Sequence, residues 1–82
     1  MRAPISNFSK AMDMKLRRHD DNRGSHGWRQ DTLVNLRFRL EEEVRELETA
    51  IGSDNPQRIM EEAVDVGNFA MMIFDKAKRG EL

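Results

Sequence analysis

Apolar residues recur along most of the chain at intervals of three and four, the spacing expected of helices that bury one face. This spacing predicts three helices, over about residues 6–20, 30–51 and 56–79. No segment alternates with a period of two, so the sequence predicts an all-α fold. The predicted stripes are Phe8, Met12 and Leu16 on the first helix, Leu33, Leu36, Leu40, Val44, Leu47 and Ile51 on the second, and Ile59, Ala63, Val66, Ala70, Ile73 and Ala77 on the third.

The residues that flank the stripes predict where the helices begin. Ser6 or Asn7 is expected to cap the first helix, and Asp31 or Thr32 the second, because their side chains can accept a hydrogen bond from a free backbone N–H. Pro56 suits the first turn of the third helix, where a missing N–H costs nothing.

The chain is predicted to form one domain, residues 1–82, with a small core. A domain of this size buries only roughly 60% of its unfolded surface. The sequence has no cysteine, so disulfides and zinc thiolates cannot add stability. We therefore expect a helical bundle completed by a homodimer or homotetramer. A short helix in the connecting segments could supply the missing packing instead.

Composition also limits the partners. No apolar run approaches the roughly 20 residues that span a bilayer, and the first residues lack the hydrophobic stretch of a signal peptide. A cytoplasmic protein without membrane contact is the expectation. The net charge of −1 disfavours bulk binding to nucleic acid. That charge is divided, with +5 over residues 1–40 and −6 over residues 41–82.

Two acidic pairs on the second and third helices have matching positions. Glu43 and Glu46, like Glu62 and Asp65, are spaced i, i+3, and both pairs lie on the same side of their stripes at about 100° per residue. If the stripes pack together, the four carboxylates converge at one edge. Converging like charges need a cation, and an all-oxygen set suits Mg²⁺ or Mn²⁺.

Other metal motifs fit less well. A di-iron bundle needs Glu-x-x-His, which neither His19 nor His26 completes. The segment after the first helix fails as an EF-hand loop because Gly24 comes one residue early. A solvated acidic face, with ion pairs such as Arg39 with Glu43, explains one acidic cluster. Two clusters of matched phase favour a metal site.

The acidic residues also form an ordered motif. Glu42-Glu43-x-x-Glu46, fifteen residues, then Glu62-x-x-Asp65 resembles the EExxE…ExxD signature of the MazG-like all-α nucleoside triphosphate pyrophosphohydrolases. The resemblance extends over about residues 8–75. It implies hydrolysis of a (d)NTP to (d)NMP and pyrophosphate, in nucleotide-pool house-cleaning.

The resemblance also implies roles for these acidic residues. Glu43, Glu46, Glu62 and Asp65 would be the metal ligands. Glu42 would support them or orient the attacking water, so Glu42, Glu43 and Glu46 are the candidate catalytic residues.

A triphosphate site also needs cations and a surface for the base. Lys15 and Arg23 are the preferred phosphate contacts. Trp28 could stack on a base or plug the end of the bundle. Asn68 is expected on the polar side of the third helix, where it could bind sugar or base or contact a neighbouring subunit's backbone. The alternative to an enzyme is a non-catalytic helical oligomerisation module that keeps an acidic metal-binding edge.

Overall fold

The computed structural model describes residues 1–18 and 27–82 in full and the backbone alone of residues 19–23. Three long helices account for most of this part, which contains no strand: α1 (Ala3–Arg23), α2 (Leu33–Gly52) and α3 (Pro56–Lys78). A short 3₁₀ helix (Gly27–Gln30) precedes α2. The predicted all-α fold with three main helices is confirmed.

Helix α3 is the central element, since α1, α2 and the 3₁₀ helix all pack against it. α2 and α3 form a hairpin through a turn of three residues. In this turn Asp54 adopts a left-handed backbone conformation with φ of 57°. Asn55 then caps α3, because its side-chain oxygen accepts hydrogen bonds from the N–H groups of Gln57 and Arg58. This tight turn places the acidic segments of the two helices side by side.

The helix starts agree only partly with the sequence. Thr32 caps α2, accepting from the Asn35 N–H at 3.1 Å, and Pro56 is the first residue of α3, as predicted. The predicted cap at Ser6 or Asn7 is wrong, because α1 already begins at Ala3 and the Ser6 N–H donates within the helix to Arg2. Pro4 does not prevent this early start, since its ring is tolerated in a first helical turn.

The buried core is small and lies where α3 meets its neighbours. Leu36 and Ala50 of α2 are fully buried, and Val64, Asn68 and Met72 are the buried residues of α3. The stripe predicted for α3 is therefore partly wrong: Ala70 and Ala77 are exposed. The buried line is rotated because α3 is packed on two sides, by α1 as well as by α2.

Large apolar side chains remain exposed on all three helices. They include Ile5 and Met14 of α1, Val34, Phe38 and Ile51 of α2, and Met60 and Phe74 of α3. Such residues are individually ordinary on protein surfaces, so the homo-oligomer stays a prediction. None of the described helices combines the length and the apolar character needed to cross a bilayer.

Gly67 of α3 lies directly against the Phe8 and Met12 side chains of α1. A Cβ added at Gly67 would lie 2.5 Å from Cζ of Phe8, whereas one added at Gly52 meets nothing within 4 Å. Both substitutions gain helix propensity, but only at Gly67 does the added Cβ require a neighbour, the Phe8 ring, to move. We expect Gly67→Ala to be at least about 1 kcal/mol less stable than Gly52→Ala in urea unfolding. Equal stabilities would contradict the close packing of Phe8 on Gly67.

Candidate metal centre

Three carboxylates from α2 and α3 converge in the structure. Glu43, Glu62 and Asp65 each place one carboxylate oxygen within 4.8 Å of the others, and all three side chains are half-buried. Their convergence follows from the hairpin, which sets the acidic side of α2 against the acidic side of α3. The matched positions inferred from helical periodicity therefore correspond to a real cluster, called here the acidic cluster.

Glu46 adjoins this cluster at its solvent edge. Its side chain is exposed, yet it lies close enough to hydrogen-bond with and repel both Glu43 and Glu62. Glu42 is also exposed, and a rotation of about 100° along the helix turns it away from its neighbour Glu43. The structure therefore brings the four predicted ligands close together, whereas the Glu42 side chain lies outside this group.

Two oxygens of the acidic cluster lack hydrogen-bond partners. Glu43 Oε2 and Glu62 Oε2 are both buried, and neither has a partner within the protein. A buried polar atom without a partner costs roughly 1–3 kcal/mol, and more when it is charged. An oxygen-only set with two unpartnered oxygens suits a hard divalent cation, which would satisfy both. The residues present therefore fit a magnesium or manganese ion.

Burial and repulsion by neighbouring carboxylates raise the pKa values of Glu43 and Glu62. The pKa of Glu43 rises from 4.5 to about 7, chiefly through burial, then through a side-chain hydrogen bond with Glu46 and repulsion by Glu46, Asp65 and Glu62. The pKa of Glu62 is also raised, chiefly by burial and next by repulsion from Asp65, while Lys15 opposes the shift. Without a cation the Glu43 carboxyl, whose pKa is about 7, is therefore partly protonated near neutral pH.

This raised pKa predicts a pH dependence of stability in the metal-free protein. Since Glu43 binds its proton more tightly when folded, the added stability is complete below about pH 4.5 and is lost as the pH rises through about 7. With a discount for solvent screening, we expect Glu43 to contribute about 1–2 kcal/mol less to the free energy of unfolding at about pH 8 than at about pH 5.5.

Urea unfolding in EDTA at the two pH values measures this contribution. Glu43→Gln is the matched control, because its amide cannot titrate. If Glu43→Gln shows the same change with pH as the wild type, Glu43 is not the responsible group.

Lys15 contributes a positive charge to the acidic cluster from α1. Its Nζ lies 2.7 Å from Oδ1 of Asp65, and both side chains are only 22% exposed. The same ammonium group donates to the backbone carbonyl of Glu61 at 3.5 Å. Lys15 was predicted as a phosphate contact, and the structure places it against a predicted metal ligand.

A surface groove of about 250 Å³ lies between α1 and α3 beside this ion pair. Its apolar lining comes from Ala11, Met14, Met60 and Val64. Its polar lining comes from Lys15, Arg18, Gln57 and Glu61. This groove could not be predicted from the sequence, because the place where α1 crosses α3 leaves no signal in either helix alone.

Asn68 is buried between α1 and α3 and is only 5% exposed. Its Nδ2 donates to the backbone carbonyl of Met12 at 3.4 Å, while its Oδ1 is buried without a partner. The side of α3 that was predicted to be polar and open to a ligand is therefore buried at Asn68. α1 covers that side of α3, and Asn68 contacts the backbone of its own chain.

The other predicted substrate contacts lie nearer the start of α2. Trp28 is half-buried on the 3₁₀ helix that packs against α3, and the Arg29 guanidinium lies 5.5 Å from the centre of its ring. Its stacking and plugging roles both stay predictions. The side chain of Arg23 lies outside the described residues, as do those of His19 and His26.

The ion pairing on α2 differs from the pairing of Arg39 with Glu43 that a solvated acidic face predicts. The Arg39 guanidinium lies 4.9 Å from the centre of the Phe69 ring, a cation–π contact with α3. On α2 the ion pair at 3.8 Å joins Arg37 to Glu41. Arg39 therefore does not act as the counter-charge expected for Glu43.

No protein-family model matches the chain, and no curated protein or solved structure matches it. The resemblance to MazG-like enzymes therefore rests on the sequence pattern alone.

Proposed function

We propose that this protein is a metal-dependent nucleoside triphosphate pyrophosphohydrolase that cleaves (d)NTP to (d)NMP and pyrophosphate. The observation that carries the proposal is the pair of buried, unpartnered oxygens on Glu43 and Glu62 within a cluster of converging carboxylates. Such an arrangement is costly in a protein that only needs to fold, and it coincides with the acidic motif that resembles the MazG-like enzymes.

Four carboxylates would hold the metal: Glu43, Glu62 and Asp65 from the half-buried part of the acidic cluster, and Glu46 from its exposed edge. Mg²⁺, or Mn²⁺ in its place, supplies charge neutralisation and alignment of the phosphates when bound. Glu42 would orient the attacking water from the solvent side. Its exposure leaves its carboxylate free to do so.

The remaining roles belong to side chains around the cluster. Lys15, already beside Asp65, would contact phosphate oxygens together with Arg23. Trp28 would stack on the base, and Asn68 would help to fix the sugar or the position of α1. Catalysis would then depend on positioning and electrostatics. We assign the protein to nucleotide-pool house-cleaning in the cytoplasm, as a homodimer or homotetramer.

A second candidate is a non-catalytic helical oligomerisation module that keeps an acidic metal-binding edge. The apolar side chains exposed on all three helices favour it, since they suit contact with another chain. Both candidates predict metal binding, but only the enzyme predicts turnover.

Pyrophosphate release from a panel of standard and modified (d)NTPs distinguishes the two candidates. We expect release with Mg²⁺ or Mn²⁺, none in EDTA, and loss of release in Glu46→Ala. A folded protein that binds metal but releases no pyrophosphate from any substrate would favour the oligomerisation module. Release that persists in EDTA would overturn the metal-dependent enzyme.

A further inference from the structure

The acidic cluster already contains a cation, the ammonium group of Lys15. This residue belongs to α1, whereas the carboxylates belong to α2 and α3, so the ion pair with Asp65 connects separate helices. With its Nζ 2.7 Å from Asp65 Oδ1 and both side chains largely covered, the pair is a specific contact rather than a loose surface pair.

One ammonium group neutralises the cluster incompletely. Lys15 donates to Asp65 and to the Glu61 carbonyl, while Glu43 Oε2 and Glu62 Oε2 keep no partner. A divalent cation coordinated by these carboxylates would sit about 2.0–2.6 Å from their oxygens. An ammonium group and a divalent cation on the same Asp65 carboxylate repel each other strongly in this partly covered site.

We propose that Lys15 is the resident counter-ion of the metal-free site, and that a divalent cation displaces its ammonium group from Asp65. The displaced group stays within the groove between α1 and α3, which Lys15 lines together with Arg18. Metal binding thereby delivers a cation to the position where a phosphate oxygen would be bound. The inference rests on the proposed function for the metal site itself and for the identity of the groove's ligand as a phosphate.

If the Lys15 ammonium group competes with a divalent cation for Asp65, removing its charge should increase the affinity for the metal. Lys15→Met keeps the length and apolar stem of the side chain but removes its charge, so we expect Mg²⁺ and Mn²⁺ to bind at least about fivefold more tightly by calorimetry. Arg17→Met is the matched control. Arg17 lies on the same helix but pairs with Asp13 in solvent, where its side chain is 76% exposed, so its loss should change affinity by less than about twofold.

The wild-type protein provides an independent readout that needs no variant. Lysine acetylation followed by mass spectrometry should modify Lys15 slowly in EDTA and severalfold faster in saturating Mg²⁺, because the displaced ammonium group becomes accessible. Lys10, which is exposed on the same helix, is the internal reference and should react equally in both conditions.

The outcomes separate this inference from the proposed function. Metal binding that is equal in the wild type and Lys15→Met, with no change in Lys15 acetylation, overturns the displacement and leaves the enzyme intact. Tighter binding by Lys15→Met together with faster acetylation of wild-type Lys15 supports displacement, even if no (d)NTP is hydrolysed. Absence of metal binding in both proteins overturns displacement and the metal site together.

Discussion

Asp65→Asn is expected to reduce metal-dependent pyrophosphate release by at least about 100-fold in kcat/KM. Substituting a residue that only hydrogen-bonds to a metal ligand already reduces metal affinity or activity about 10–100-fold. Asp65 is a candidate ligand itself, so a larger loss is expected. The amide is nearly the same size as the carboxylate but carries no charge. It therefore weakens the cation site while leaving the packing between α2 and α3 unchanged. Steady-state kinetics over a range of Mg²⁺ concentrations measures the loss.

Asp75→Asn is the matched control for this prediction. Asp75 lies on the same helix, and its carboxylate forms an ordinary i, i+4 ion pair with Arg79 at 2.9 Å. Its substitution removes the same charge from α3 without touching the acidic cluster, so activity should stay within about twofold of the wild type. Full activity in Asp65→Asn, or equal losses in both variants, would remove Asp65 from the metal site.

The acidic cluster could be predicted from the sequence because it depends on two helices joined by a short turn. Helical periodicity alone puts Glu43 and Glu62 on matching sides of their helices. The Gly-, Asn- and Pro-containing segment between the helices then indicates a tight connection. Their convergence needed no information about α1. Which oxygens lack partners, by contrast, depends on the distances between helices and could be learned only from the structure.

Features that depend on α1 could not be predicted in the same way. α1 is separated from α3 by more than thirty residues of chain, and nothing in its apolar spacing fixes where it crosses α3. Lys15 was therefore expected near phosphate rather than at 2.7 Å from Asp65. Asn68 was assigned to a polar face that α1 in fact covers. Gly67 permits this close crossing because it has no side chain. The sequence alone does not indicate that Phe8 packs against it.

Stability and function conflict at the acidic cluster. The raised pKa values of Glu43 and Glu62 mean that ionising the cluster works against folding in the metal-free protein. The small buried core has to offset this cost, since the sequence offers no disulfide. A bound divalent cation would remove the conflict by stabilising the folded state, by an amount that grows with the logarithm of its concentration over its Kd. The loss of stability from a core substitution and the gain from bound metal should therefore appear as opposite changes in the free energy of unfolding.

Leu36→Ala is expected to unfold much of the metal-free protein. Leu36 is 1% exposed and is the largest fully buried side chain in the described part of the chain. Its truncation should cost about 2–5 kcal/mol, a large share of the roughly 4–12 kcal/mol expected for a domain of this length. Far-UV circular dichroism during urea unfolding measures the loss. Val34→Ala, two residues away on α2 but 61% exposed, is the matched control and should change stability by less than about 0.5 kcal/mol.

Metal should partly restore the folded state of Leu36→Ala, because α2 also carries Glu43 and Glu46. At a free Mg²⁺ concentration of about 100 times Kd, binding adds about 2.7 kcal/mol to the stability of the folded state. The same addition should not rescue Leu36→Ala when it is combined with Asp65→Asn, which lacks a full ligand set. Rescue in both proteins would mean that Mg²⁺ acts elsewhere on the chain. Rescue in neither would separate the acidic cluster from metal binding altogether, whereas rescue of the single variant alone would connect the folding of α2 to the metal site.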